Sequence, residues 1–493
     1  MSMPISLDRW LVLSGLVTGL VAGACAFELP NHCSNNAGDA TCQERGLGQY
    51  CDACSLVADG CSDTIPGSDC HFVGDPGVES SSSGSDDSSS DSGAQGSDTN
   101  TDSATDDMTA TTEGPCMGNE DCPDAAAPLC DATGECVSCD AMAEPDAACA
   151  GLDPTTPVCD AGECVQCTDA NASACGDTTP ICDVDVRTCV GCSSHEQCPE
   201  SACHEAEGSC LPTDAVWVVD RDGGADFTSV GEALGQIPAD GSGTIIVRNS
   251  AMAYSENVVV GEGRVVAVIA ETISEATRPR LSINSAAPIL QVSGAAVVYL
   301  DGIELRGNTL GAGVEIDGST IYVDRCELVA NNQGGLVAGM GSEVIMRNVT
   351  AGGDINNVPA VQASNATVDV LYSTLAAGFG ASSALSCSGG SVEVRNSIMV
   401  SESADAEIQC PGALVTYSAA ESAIAGDGNM PVGNLDTAWF MNYGQGNLRL
   451  FASGENEFQG VALREAGDPP TDLDGDVRPQ MNGAMDFAGA DVP

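Results

Sequence analysis

Lysine is absent from this 493-residue chain: all 15 basic residues are arginine, against 72 acidic residues, for a formal net charge of −57. That excludes a Schiff-base lysine and a P-loop lysine, and no GxxxxGK[ST] or GxGxxG run follows a strand-like segment. It also argues against nucleic acid as a partner, because a binder must neutralise phosphates with a clustered basic surface. An anionic membrane surface is disfavoured for the same reason. Aromatic residues make up only 4% of the chain, too few for an extended stacking platform. Histidine occurs four times, as His32, His71, His195 and His204, and never after that. The carboxy-terminal half therefore cannot itself supply a Ser/His/Asp or Cys/His site. One long apolar run exists, Trp10 to Ala24, and about 15 residues is short for a bilayer span. Preceded by Arg9 and ending in small residues, it reads as the core of a signal peptide over residues 1–24.

What the chain has instead is cysteine, 26 in all, 23 of them before residue 211. At that density behind a secretion signal, cysteines form a disulfide framework in an oxidising compartment. Six (Cys33, Cys42, Cys51, Cys54, Cys61, Cys70) fall in a module over 25–74, too short to fold on its core alone. They permit 15 pairings, which spacing does not resolve. Residues 75–115 are Ser, Asp, Thr and Gly with almost no apolar content, a disordered spacer of roughly 35 Å. Cys25 is left unpaired by this count. Ala22-Gly23-Ala24-Cys25 resembles a bacterial lipobox, which implies a lipid on Cys25 and a cell-surface lipoprotein; the alternative is plain cleavage and release. The membrane is then a partner only through that lipid.

Residues 116–212 are an internal repeat. Cys136-Val137-Ser138-Cys139, Cys164-Val165-Gln166-Cys167 and Cys189-Val190-Gly191-Cys192 each follow a Pro-x-Cys-Asp segment: Pro128 to Asp131, Pro157 to Asp160 and Pro180 to Asp183. Four quartets emerge: Cys116, Cys122, Cys130 and Cys136; Cys139, Cys149, Cys159 and Cys164; Cys167, Cys175, Cys182 and Cys189; Cys192, Cys198, Cys203 and Cys210. Each is expected to carry two bridges, and the units to stack into a rod. The CxxC pairs are also zinc-like in spacing, but further cysteines fill the gaps between them, so structural disulfides are preferred over metal.

Residues 213–493 change character. Val298, Ile321, Val344, Val368 and Val392 form a column with steps of 23, 23, 24 and 24. Two residues on stand Leu300, Val323, Met346, Val370 and Val394; seven on, Leu305, Leu328, Ala351, Leu375 and Met399. Period-2 alternation means strands with one buried face. A 22–24-residue period means one solenoid coil per repeat. The expected fold is all-β: a single-stranded parallel β-helix, with coils ~4.7–4.9 Å apart. Val230, Ala233, Leu234 and Ile237 have helical spacing and predict a helix capping the first coil.

The opening VWVVDRDGGADFTSVGEALGQIP, with Tyr254, Glu256 and Asn257 after it, resembles right-handed parallel β-helix proteins of the pectin-lyase-like superfamily, pectinesterases included. The closing DLDGDVRPQMNGAMDFAGAD, Asp472 to Asp491, resembles a motif that ends many secreted bacterial β-helix proteins. The resemblance implies the fold. Pectinesterase chemistry would need two Asp, an Arg and Gln donors on motifs that this chain lacks.

The register does stack Asp301, Asp324 and Arg347 on one outward column, and Glu304 on Glu327. A close carboxylate pair suits acid–base or glycosidase chemistry, so Asp301, Asp324 and Arg347 are the candidate catalytic set. The bland alternative is a solvated acidic face. Tyr299 and Tyr322 stack beside them as a candidate binding pair. Asp472, Asp474 and Asp476 hint weakly at calcium, without the spacing of an EF-hand; no other cofactor is expected. Cys387 and Cys410, one coil apart, can pair, while Cys326 sits on a core column. These readings predict an exported, lipid-anchored surface protein whose β-helix binds a glycan or a protein without catalysis. The alternatives are a polysaccharide-active enzyme and a structural stalk or adhesin.

Overall fold

The computed structural model describes residues 115–493 apart from a few short loop segments, and, before them, only the backbone of the paired strands Tyr50–Cys51 and Cys61–Ser62. Cys25, the other N-terminal cysteines and the Ser/Asp spacer lie outside the described residues. The described residues from Pro115 onward form one compact unit.

The Cys repeats share one plan. In each quartet the first cysteine joins the third and the second joins the fourth: Cys116–Cys130 and Cys122–Cys136, Cys139–Cys159 and Cys149–Cys164, Cys167–Cys182 and Cys175–Cys189, Cys192–Cys203 and Cys198–Cys210. The third and fourth cysteines face each other across a short antiparallel hairpin, as in Cys159↔Cys164 and Cys182↔Cys189. The Asp of the Pro-x-Cys-Asp segment closes the hairpin turn: Asp131 Oδ1 accepts the amides of Thr133 and Glu135. Three sulfurs of every repeat, drawn from both bridges, lie within 4.8 Å of one another, so the paired bridges serve as each repeat's core. The two cysteines of each CxxC belong to different bridges and to adjacent repeats. These pairs therefore mark repeat boundaries. Arg187 links the third repeat to the second through Asp160 at 3.2 Å and Glu163 at 2.8 Å.

From Val216 the chain winds as a parallel β-solenoid. The strands Val297–Asp301, Thr320–Asp324 and Glu343–Arg347 pair in parallel with Val298, Ile321 and Val344 in register, continuing to Val368 and Val392. A second, nine-stranded sheet stacks Leu305, Leu328, Ala351, Leu375 and Met399. All ten of the Val298 and Leu305 column residues are buried, which is the driving force of the coil stack.

Between the two sheets each coil turns a corner through one left-handed residue: Gly302, Arg325, Asn348, Tyr372, Asn396 and Tyr417, with φ from 45 to 71°. Next to the corner runs a hydroxyl ladder. Ser373 Oγ accepts the amide of Val349, Ser397 Oγ that of Ser373, and Ser418 Oγ that of Ser397. Cys326 holds the same place two coils before Ser373: its Sγ accepts from Ile303 N and donates to Leu300 O.

The opening motif builds the cap. The helix Val230–Leu234 buries Val230, Ala233 and Leu234 over the first coil. Glu256 accepts the otherwise orphaned amides of Val230 and Gly231 at 2.9 and 2.8 Å. Tyr254 Oη donates to Arg248 O, and Asn257 to Pro288 O. The closing motif is equally structural. The fully buried Arg478 pairs with Asp486 at 3.1 Å, lies 4.1 Å over the Tyr372 ring and donates to Gly489 O. Around it the C-terminal segment packs Trp439, Phe440, Tyr443, Leu448 and Phe458 onto Val329, Ala376 and Ile398, covering the outer face of the second sheet.

A candidate site beneath the fourth Cys repeat

The Asp301–Asp324–Arg347 column forms in register. It does not face open solvent, because the fourth Cys repeat lies over it. Ala202 and Leu211 of that repeat are buried with Ala267 and Tyr299 of the solenoid, and Ala202 N donates to Thr244 Oγ1. Of the candidate binding pair, Tyr299 is covered by the repeat and Tyr322 is half-buried. The rings do stack, 4.8 Å apart, but Tyr299 is fully buried: its Oη is 3.0 Å from His204 Nδ1 and accepts from Ala206 N, and the His195 ring meets its face edge-on. Burial also pushes the Tyr299 hydroxyl pKa upward.

Charge pairs join the two parts. Arg325, at the left-handed corner next to Asp324, clamps both oxygens of Asp301 and reaches Glu196 at 2.6 Å. Arg347 pairs with Glu205 of the repeat. Asp324 accepts from Asn348 at 3.3 Å, and Asn348 in turn accepts from the buried Arg478. Burial raises the pKa of both aspartates, opposed by Arg325 at Asp301 and by Arg347 at Asp324. Burial also pushes Glu196 up, but Arg325 together with hydrogen bonds from the backbone and Ser194 holds that carboxyl low. His195 is lowered by burial and so stays neutral; its Nδ1 accepts from Cys203 N, leaving the proton on Nε2. A cavity of about 280 Å³ opens between these groups, lined by His195, Glu196, Asp301, Asp324, Arg325 and Asn348 among others. A second, of about 430 Å³, shares His195, Glu196, Asp301 and Arg325 with it.

The arrangement joins two carboxyls with raised proton affinity, a neutral imidazole and an amide donor around one small space. It can exchange protons or hold a polar ligand. Five participants escaped the sequence reading: His195, His204, Glu196, Glu205 and Arg325. Excluding histidine from the solenoid is right for the segment and wrong for the face, because the repeat delivers two. The available signal was that the fourth quartet alone among the repeats carries histidine. Arg325 was missed because the column count stops one residue short of the corner.

The other candidates fall elsewhere. Glu304 and Glu327 stack as expected. Glu327 belongs to a buried charge cluster with Arg449 at 2.9 Å and Arg278 at 3.9 Å, and both arginines also hold Asp474. Asp472 is buried; its Oδ1 accepts the amides of Asp474 and Asp476 and its Oδ2 that of Val492. Asp472 and Asp474 thus spend their oxygens on a turn and on arginine. Cys387–Cys410 is bridged and Cys326 is a buried free thiol.

A family of unknown function (DUF8331) matches residues 100–216, ending where the first solenoid strand begins. No curated protein matches the chain. Among solved structures, a pectin methylesterase from Erwinia chrysanthemi is 13% identical, with 43% of this chain covering 80% of that one at a TM-score of 0.31. One from Aspergillus niger is 11% identical, covering 47% and 94%, at 0.27. A Geobacillus virus E2 protein, ORF18, is 9% identical, covering 41% and 56%, at 0.25. Among the described residues, nine disulfides place the chain in an oxidising compartment, and no helix is long and apolar enough to cross a membrane.

Proposed function

We propose that the protein is an exported surface protein, anchored by a lipid on Cys25, whose β-helix binds a glycan or a protein without transforming it. One observation carries the non-catalytic part. Asp301 and Arg347 of the candidate catalytic column are engaged by the chain itself, through Arg325 and Glu205, and roofed by its fourth repeat. Those groups hold the repeat to the solenoid, leaving binding to other surfaces. The test is to incubate the purified protein with soluble polysaccharides, with and without calcium, and read both retention and new reducing ends or unsaturated products. Retention without product is expected; product would overturn the reading. Cys25→Ser is expected to move the protein from the membrane fraction to the soluble one, and unchanged partitioning would remove the lipid from the proposal.

A second reading, a carbohydrate-active hydrolase, lyase or esterase, draws support from one feature. Asp324 lacks an arginine clamp, has a raised pKa and borders the 280 Å³ cavity with His195. There it would serve as the general acid, with Asp301 the ionised partner. Asp324→Asn would then abolish product formation while leaving the thermal midpoint within a few degrees.

A further inference from the structure

The aromatic residues of the C-terminal cap are almost all buried: Trp439, Phe440, Tyr443 and Phe458 are each at most 7% exposed. Phe451 is the exception. It is 54% exposed, the most open aromatic side chain among the described residues. Met441, 49% exposed, lines the same surface. These two side chains border both of two adjoining grooves, of about 300 and 520 Å³. The first groove continues to Glu455, Asp476 and Asp491, the second to Thr437 and Asn442.

The platform is fixed from below. Phe451 N donates to Trp439 O at 2.8 Å, Leu450 N to Asp491 Oδ2 at 2.7 Å, and Glu455 N returns to Phe451 O at 3.0 Å. Met441 lies in the strand Phe440–Asn442, paired with Asn447–Leu450. With its backbone held, Phe451 has only its two side-chain torsions to order when the ring is covered.

The polar groups decide the ligand. Glu455 and Asp476 are exposed acceptors, and Thr437 and Asn442 offer both donors and acceptors. Asp474, also in the first groove, is neutralised by Arg449 and Arg278. Asp491 is buried and its Oδ2 is taken by Leu450 N, so it adds no free carboxylate to the groove. A ring face flanked by mixed donors and acceptors suits the alternating C–H and hydroxyl faces of a sugar. The free carboxylates, on a chain of net charge −57, repel an acidic one. We infer that the grooves on either side of Phe451 and Met441 bind an uncharged saccharide chain, one ring resting on Phe451 and its neighbours reaching Glu455 and Asp476 on one side and Thr437 and Asn442 on the other. This rests on the binding function proposed above and names its site and ligand class; it discriminates against uronate polymers.

The test is calorimetric titration of the full-length protein with cellohexaose, laminarihexaose, chitohexaose, hexagalacturonate and an oligo-arginine peptide. At least one of the three uncharged hexasaccharides is expected to bind and hexagalacturonate not to. Phe451→Ala should weaken that binding about ten-fold, and Phe451→Trp should retain it. Binding of none of the three, of hexagalacturonate, or of the peptide alone would overturn the inference, as would an unchanged affinity in Phe451→Ala. Those results leave a non-catalytic binder standing at another surface or with another ligand. Cleavage or de-esterification products in the same cell would sink the non-catalytic reading itself, whatever Phe451 does.

Discussion

The Cys repeats and the solenoid solve the same problem in opposite ways. A repeat of about 25 residues cannot bury enough apolar surface to fold, so two bridges take the place of a core. In the solenoid one bridge, Cys387–Cys410, serves nearly 280 residues, and stacked aliphatic columns do the rest. The contrast teaches where each part is vulnerable: the repeats to chemistry, the solenoid to packing. The fourth repeat belongs to both regimes, being closed by its own bridges yet seated on Tyr299 and the Asp301 column.

The largest effect that would break or sharpen this comparison is reduction. Each bridge is worth roughly 2–4 kcal/mol, so reduced repeats should unfold while the solenoid stays. The sequence supplies a clean readout. Arg187 is the sole basic residue between 116 and 212, and there is no lysine, whereas twelve arginines lie beyond it in the solenoid. Within residues 116–493, trypsin should leave the oxidised protein uncut and cut the reduced protein at Arg187, with the C-terminal product resistant. Equal cutting within the solenoid would show that the regimes are not separate.

A smaller break targets the seat of the fourth repeat. Arg325 is held between Asp301 and Glu196, its side chain 15% exposed. Removing it strands the buried Asp301 carboxylate, and breaking such a pair costs about 3–5 kcal/mol. Arg325→Ala should therefore accelerate amide exchange in 192–210 and in the strand Val297–Asp301 together, with the first three repeats unchanged. Exchange confined to the solenoid would mean that the apolar contact at Ala202 and Leu211, not the ion pairs, holds the repeat.

Most of this architecture was legible in the sequence because it is periodic. The columns from Val298 to Val392 follow from a two-residue alternation inside a 23–24-residue step, and the Cys quartets from the spacing of Pro-x-Cys-Asp. Pairing within a quartet was not legible, because spacing alone does not say which cysteine faces which. Nor was the docked repeat. A contact between His204 and Tyr299, 95 residues apart, repeats nowhere, so no pattern announces it. The candidate site suffered most from this. Its outward column was found, and the groups that cover it were not. Phe451 was equally hidden, since a sequence does not say which of several aromatics the cap will leave outside.

The finest distinction between the two regimes concerns cysteine itself. In the repeats a cysteine is a cross-link; Cys326, fully buried in the solenoid, has no partner. Its thiol pKa is pushed upward by burial, which makes it a poor nucleophile. Its position explains it better than its reactivity does. Sγ occupies the rung that Ser373, Ser397 and Ser418 fill in later coils, accepting Ile303 N and donating to Leu300 O. If the rung is what matters, Cys326→Ser should change the unfolding free energy read from urea titration by less than about 1 kcal/mol, since the hydroxyl can accept Ile303 N as the ladder serines accept their amides. Cys326→Ala should cost more, about 1–3 kcal/mol, because it leaves the buried Ile303 amide without an acceptor. If apolar packing governs the site instead, the order inverts: alanine would be tolerated, and serine, burying a more polar group in the same space, would be the damaging change.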